Sequence, residues 1–103
     1  MPYQTETDKL PRVTVKLQDG LLIDGKRVKE VQVRKCLMRD IREANEHPAA
    51  KSTVSANIVL YALVTTVNGL EADFSMIESL TKTDYDAIQE ASNKADALPL
   101  SEK

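Results

Sequence analysis

The first third of the chain carries the pattern that most restricts its fold. Apolar and polar residues alternate over residues 12–17, which is the period of a strand with one buried face. Asp24-Gly25 follows, a pair typical of a two-residue type I′ turn, whose central positions need positive φ angles. A second strand is expected over residues 27–34. The sequence therefore predicts an antiparallel β-hairpin.

The register of this hairpin contains an irregularity. Pairing the strands in step from the turn would set Leu17 against the polar Gln32. One extra residue in the first strand would instead place Leu17 opposite Val31. Because bulges favour glycine, we expect a β-bulge near Asp19-Gly20.

Beyond Lys35 the hydrophobic period becomes helical. The first helix should end at His47-Pro48, because the residue before proline is pushed out of the α region. Its charged residues, Asp40 among them, are expected in solvent. The expected buried stripe consists of Leu37, Met38, Ile41 and Ala44.

The next segment is the most apolar part of the chain and predicts the central helix of the core. Ser52 or Thr53 can cap its start, and it should run to about Val67. Asn68-Gly69 is then expected to supply its C-terminal stop.

Two further helices are predicted near the C-terminus. Ser75 and Glu78 have the spacing of a capping box over a short helix. Thr83 with Asp86 should start the last helix, which Pro99 ends. The thin apolar stripe of that last helix consists of Ile88, Ala91, Ala95 and Leu98.

The order of these elements predicts an α+β fold, with an N-terminal β-hairpin followed by a small bundle of three to four α-helices. We expect a flexible leader over residues 1–11, a single domain over residues 12–98 and a flexible tail over residues 99–103. The single cysteine cannot form an internal disulfide, which fits a reducing compartment. The longest apolar run, residues 58–64, covers about a third of a membrane span. The chain therefore reads as cytoplasmic.

Cys36 and His47 are the candidates for a nucleophile and its base. They lie eleven residues apart on the predicted first helix, about 16 Å along its axis, which is too far for them to cooperate. One cysteine and one histidine also fall short of the usual structural zinc set. Asp84 and Asp86 lie at a predicted helix start, where carboxylates usually cap. We therefore predict no catalytic residue, no cofactor and no metal.

A basic run over residues 26–35 is the strongest feature for nucleic-acid binding. Glu30 interrupts it, no aromatic residue is interleaved for base stacking, and the chain has a net charge of −2. A solvated strand face is the favoured interpretation. The basic residues could equally meet an acidic protein partner.

Several motifs occur together in an order typical of one family. Val13-Thr14-Val15-Lys16-Leu17 precedes Ile23-Asp24-Gly25-Lys26-Arg27-Val28, and Val67-Asn68-Gly69-Leu70 precedes Asp84-Tyr85. These runs resemble the opening strand, the apolar-Asp-Gly-Lys turn, the apolar-x-Gly-Leu turn and the aspartate–aromatic pair of the tail assembly chaperones of Mu-like and related long-tailed phages. The resemblance covers roughly residues 13–95. One departure is Lys35-Cys36-Leu37, which stands where the family often has Glu-Pro-Thr.

This resemblance implies a non-enzymatic protein that binds the helix-rich tape-measure protein of the tail, keeps it soluble and helps tail-tube subunits to assemble around it. It also implies a location in the host cytoplasm and absence from the mature virion. Homo-oligomerisation stays open. The candidate partner-binding residues are Arg27, Lys29, Arg34, Ile88, Ala91 and Ala95.

Two other functions stay open at this point. One is a structural or connector protein of a phage tail, which would remain in the particle. The other is a nucleic-acid-binding regulator that uses the basic hairpin.

Overall fold

A computed structural model of the protein describes residues 10–100. The described part contains β1 (Arg12–Ile23), β2 (Lys26–Arg34), α1 (Met38–Glu46), α2 (Thr53–Val64), β3 (Thr65–Val67), β4 (Leu70–Glu71), α3 (Phe74–Glu78) and α4 (Lys82–Ala97). The strands form one antiparallel sheet in the order β1-β2-β3-β4. The predicted α+β class, with a hairpin followed by helices, is confirmed.

The ends of the chain were predicted to be a leader and a tail. Residues 1–9 and 101–103 of those segments lie outside the described residues. Leu10 is buried, and the Pro11 carbonyl accepts a hydrogen bond from the Lys35 N–H at 2.9 Å. These two residues are therefore packed against the domain just before β1 begins.

The β1–β2 hairpin closes where the sequence predicts. Asp24 and Gly25 have φ angles of 51° and 78°, as a type I′ turn requires. The bulge is also at the predicted place, but it is larger than one residue. Lys16 pairs with Glu30 and Leu21 with Val28, so the four residues 17–20 lie opposite the single residue between those partners.

The predicted register on the far side of the bulge is therefore wrong. Val15, not Leu17, lies opposite Val31. The three extra residues of β1 are stabilised by a side chain from the last helix, which no strand pattern could indicate. Gly20 has a φ of 86°, and a Cβ there would stand 2.9 Å from the Val28 carbonyl oxygen. Glycine is thus required at this position for two independent reasons.

The predicted C-terminal end of the central helix is also wrong. α2 ends at Val64, and Thr65–Val67 forms β3, which pairs with the end of β2. Asn68 and Gly69 have φ angles of 53° and 82° and form a second type I′ turn, into β4. The β-branched run over residues 64–67 favours a strand, and the open edge of β2 supplies its partner.

The predicted buried stripe of α1 is only partly correct. Ala44 is buried, but Met38 is 77% exposed and Ile41 is 38% exposed. Asp40, expected in solvent, is fully buried because its carboxylate pairs with the Arg34 guanidinium. A charged pair therefore holds the inner face of this helix.

Side-chain caps fix the starts of the other helices. Ser52 caps α2 as predicted, by accepting a hydrogen bond from the Ser55 N–H. The caps of α3 and α4 are Asp73 and Thr81, each two residues before the predicted cap. At its C-terminus, α4 is joined to the segment before α1 because the Lys35 ammonium donates to the last carbonyls of the helix.

The core lies between the sheet and α4. Of the predicted stripe of that helix, Ile88 and Ala91 are buried in the core and Ala95 is also buried. The prediction is wrong for Leu98, which is 39% exposed because the helix ends at Ala97 and Leu98 is its C-terminal cap. The small side chains of Ala91 and Ala95 let this face of the helix approach its neighbours closely. No helix within residues 10–100 is both long enough and apolar enough to cross a membrane.

Candidate protein-binding surfaces

An open apolar groove lies where α2, α3 and the first turn of α4 meet. Its lining is Val54, Ile58, Ile77, Leu80 and Tyr85, with Glu78 and Lys82 as the charged lining residues. Its volume is about 240 Å³. Small-molecule pockets are usually larger, at roughly 300–1,000 Å³, and more enclosed. The groove therefore suits a few apolar side chains of another chain better than a whole metabolite.

The cap at Ser52 determines which side chains of α2 enter this groove. Because α2 begins at Thr53, Val54 and Ile58 are four residues apart and lie on the same face of the helix. Val54 is 67% exposed, whereas Ile58 is half-buried. The outer end of the groove is thus the most accessible apolar surface of α2.

The other wall is formed by α3 and α4. Ile77 is 1% exposed and forms the floor. The ring of Tyr85 packs edge-on against Tyr61, with ring centroids 5.5 Å apart and an interplanar angle of 80°. Burial raises the pKa of the Tyr85 hydroxyl, so this residue remains neutral at physiological pH.

Charged residues beside the groove are exposed. The Lys82 ammonium lies 2.9 Å from the Asp86 carboxylate, with both side chains largely in solvent. Such a pair contributes little to stability, so both groups remain available to a partner.

Asp84 positions this wall relative to the hairpin. Its carboxylate accepts hydrogen bonds from the backbone N–H groups of Gln18, Asp19 and Gly20, at 2.7, 3.0 and 2.9 Å. The Thr81 hydroxyl, at the cap of the same helix, donates to the Asp19 carboxylate at 2.8 Å. The predicted capping role of Asp84 is wrong, since its carboxylate binds the bulge.

The structure divides the predicted partner-binding residues into two groups. Arg27 and Lys29 are exposed on β2. The other four, Arg34, Ile88, Ala91 and Ala95, are at most 4% exposed. Arg34 pairs with Asp40 at 2.8 and 2.9 Å and donates to the Leu63 carbonyl at 3.2 Å. A partner could reach these four only if the fold opened, and their binding role stays a prediction.

The candidate nucleophile and base flank a helix. Cys36 lies before α1 and His47 is its C-terminal cap, so all nine residues of the helix lie between them. Burial, followed by the charge of Asp40, raises the pKa of the Cys36 thiol to about 11. A thiol with this pKa is protonated at neutral pH and is a weak nucleophile. Within residues 10–100, no group of three His, Cys, Asp or Glu side chains could hold a metal ion.

The groove itself was not predicted from the sequence. Val54 lies in α2 and Leu80 lies in the link between α3 and α4, with β3 and β4 between them in the sequence. No spacing along the chain therefore brings them together.

The fold and its surfaces define a small α+β protein with an open apolar groove beside exposed charges. The model of one family, phage tail assembly chaperone proteins E, or 41 or 14, matches residues 14–96. The chain belongs to this family of phage tail assembly chaperones, which confirms the resemblance seen in its motifs. Searches of curated proteins and of solved structures returned no match.

Proposed function

We propose that the protein binds the tape-measure protein of its phage, keeps it soluble before assembly and helps tail-tube subunits to assemble around it. The observation that carries this proposal is the open apolar groove lined by Val54, Ile58 and Leu80, in a chain of the tail assembly chaperone family. The protein would act in the host cytoplasm, without catalysis, and would be absent from the finished particle.

A groove of this shape supports helix-in-groove recognition. In this binding mode, an amphipathic helix inserts side chains spaced three or four residues apart into an apolar groove. The paired side chains of Val54 and Ile58 on one wall have the same spacing. A tape-measure protein rich in helices would present many such stripes, so several chaperone copies could cover one partner.

The size of the groove supports reversible binding. Burying one aliphatic side chain is worth about 1.5–3 kcal/mol, so two inserted side chains would supply about 3–6 kcal/mol. Part of this is offset by the freedom lost on association. A single site is therefore weak, and strong retention would need several sites along the partner. Weak single sites suit a chaperone that must leave before the tail is complete, because each copy can dissociate.

The first test is co-expression with the very long, helix-rich reading frame expected next to this gene. The proposal expects the long protein to be insoluble alone, soluble with the chaperone, and recovered with it on an affinity tag. Insolubility in both cases, with no co-purification, would count against it.

Mass spectrometry of purified virions separates this role from that of a tail connector. A chaperone should be absent or far below one copy per tail. A fixed stoichiometric amount in the particle would instead favour a structural role.

A further inference from the structure

The edge of β2 that faces away from β1 is only partly covered. β3 pairs with β2 at Gln32 and Val33, and within residues 10–100 no strand pairs with that edge from Lys26 to Val31. Lys26, Arg27, Lys29 and Glu30 are all exposed. A row of backbone donors and acceptors is therefore open to another strand.

The hairpin turn determines which residues present these backbone groups. In a two-residue hairpin, the residues beside the turn exchange hydrogen bonds with each other, so Lys26 bonds across to β1. Along a strand, the backbone N–H and C=O groups of successive residues point to opposite edges, so those of Val28 also point towards β1. The Val28 carbonyl does face Gly20 there. Arg27 and Lys29 consequently direct their N–H and C=O groups to the open edge.

The second hairpin leaves room beside this edge. A cleft of about 210 Å³ lies between β2 and the β3–β4 turn, lined by Glu30, Val31, Gln32, Thr66, Asn68 and Gly69. An added strand would lie next to β2, in line with β3, with one end in this cleft. Its length would be about six residues, because the uncovered edge runs from Lys26 to Val31.

Charge identifies the occupant. Arg27 and Lys29 lie on the same face of β2, two residues apart, and both are exposed. The Arg27 guanidinium also donates to the Gly20 carbonyl, but at the long distance of 3.4 Å. A strand with acidic side chains at the two opposite positions would therefore offer both cations a stronger partner.

A second copy of this chain fits poorly. Pairing β2 with itself about Val28 places Arg27 opposite Lys29, which offsets the favourable pair of Lys26 with Glu30 in the same register. Pairing about Lys29 places two lysines opposite each other.

We propose that the open edge of β2 is a second docking site, which takes an extended acidic segment of a partner protein by β-strand addition. The site is separate from the groove of α2, α3 and α4, and it does not depend on the identity of the partner bound there.

The test uses the full chain, labelled with ¹⁵N, and an acetylated and amidated peptide, Thr-Thr-Glu-Thr-Glu-Thr-Thr. One control peptide has lysine in place of both glutamates. The other keeps the glutamate side chains but carries an N-methyl group on each glutamate, because the N–H groups of the residues opposite Arg27 and Lys29 are the ones that would donate to β2. The peptide is titrated at low salt to about 1 mM, and the chemical shifts of the backbone amides of the protein are measured by NMR.

Saturable shifts limited to residues 26–32 and 66–69, absent with both control peptides, would support the proposal. The variant Lys29→Pro removes one outward N–H without touching the β1 ladder and should weaken binding by about tenfold or more. Lys29→Gln keeps the backbone N–H and a side chain of similar length but removes the charge, and should weaken binding about two- to fivefold. Unchanged shifts in residues 12–16 would show that the hairpin of each variant is intact.

Three results would overturn the proposal. One is the absence of saturable shifts with the acidic peptide. Another is equal binding of the N-methylated peptide, which would reduce the effect to charge alone. The third is a 20-base-pair DNA duplex that shifts the same amides when the acidic peptide does not.

Discussion

The carboxylate of Asp84 accepts a hydrogen bond from the backbone N–H of Gly20 at 2.9 Å, although the two residues are 64 positions apart. The same carboxylate accepts from the two preceding N–H groups, so a side chain of α4 satisfies the bulge of β1. This contact joins the two ends of the domain. It also holds the first turn of α4, which carries the Tyr85 wall of the groove.

Replacing Asp84 with asparagine should destabilise the domain by about 2–4 kcal/mol. Asparagine keeps one acceptor oxygen but presents an NH₂ group to backbone donors, and hydrogen bonds to charged groups are worth about 1.5–3 kcal/mol each. Urea unfolding measures the change. The matched control is Asp86→Asn, whose exposed pair with Lys82 should contribute less than about 1 kcal/mol. Equal losses in the two variants would contradict the role given to Asp84.

The buried pair of Arg34 and Asp40 should show strong coupling. Arg34→Met leaves a buried carboxylate without its main partner and should cost about 3–5 kcal/mol. Adding Asp40→Leu removes that buried charge and should recover part of the loss. A double-mutant cycle measured by urea unfolding tests this, and strictly additive effects of the two substitutions would exclude the coupling.

Thr65→Val should stabilise the protein by about 1 kcal/mol. Thr65 is fully buried in β3, and its hydroxyl oxygen has no hydrogen-bond partner among the described residues. Valine has the same shape and removes the unsatisfied group. The control is Thr66→Val in the same strand, because the Thr66 hydroxyl accepts from the Arg12 guanidinium at 3.4 Å. The midpoint temperature of thermal unfolding should rise only for Thr65→Val. A lower midpoint for this variant would show that the Thr65 hydroxyl has a hydrogen-bond partner.

The thiol of Cys36 should react slowly with alkylating reagents. Its pKa is raised from 9.0 to about 11, so far less thiolate is present at pH 8 than in the unfolded chain. The higher nucleophilicity of a more basic thiolate compensates partly, which leaves the rate about tenfold lower. Iodoacetamide modification in buffer and in urea measures this ratio, and equal rates would contradict the burial of the thiol.

The same raised pKa has a consequence for stability. Folding favours the neutral thiol. Its contribution to the free energy of unfolding is therefore complete below about pH 9 and is lost as pH rises towards 11. Cys36→Ser should remove this part of the alkaline decline in urea unfolding between these pH values. An unchanged pH profile in that variant would argue against it.

Local chemistry was readable from the sequence, and long-range contacts were not. The Asp24-Gly25 turn and the Ser52 cap were predicted correctly because each depends on adjacent residues. Residues 64–67 were assigned to a helix because a continuous apolar run has no periodicity that separates a helix from a strand. Pairing with β2 makes Thr65–Val67 a strand. Asp40 and Asp84 were placed in solvent or at a cap because their partners lie in other elements.

The apolar groove also depends on long-range contacts, since α2, α3 and α4 build it together. The fold class could therefore be predicted from periodicity and turns. The site could not, because neither Val54 nor Leu80 differs in the sequence from an ordinary core residue.

The most direct test of the proposed chaperone role is the affinity of the purified protein for its tape-measure partner, compared between Val54→Asp and Leu70→Asp. Both native side chains are about two-thirds exposed or more, at 67% and 73%, but only Val54 lies in the groove. Aspartate in the first turn of α2 also suits the helix dipole, so folding should be preserved. We expect at least about tenfold weaker binding for Val54→Asp, because about 1.5–3 kcal/mol of apolar burial is lost, and less than about twofold change for Leu70→Asp. Equal affinities for the two variants would contradict the proposed role.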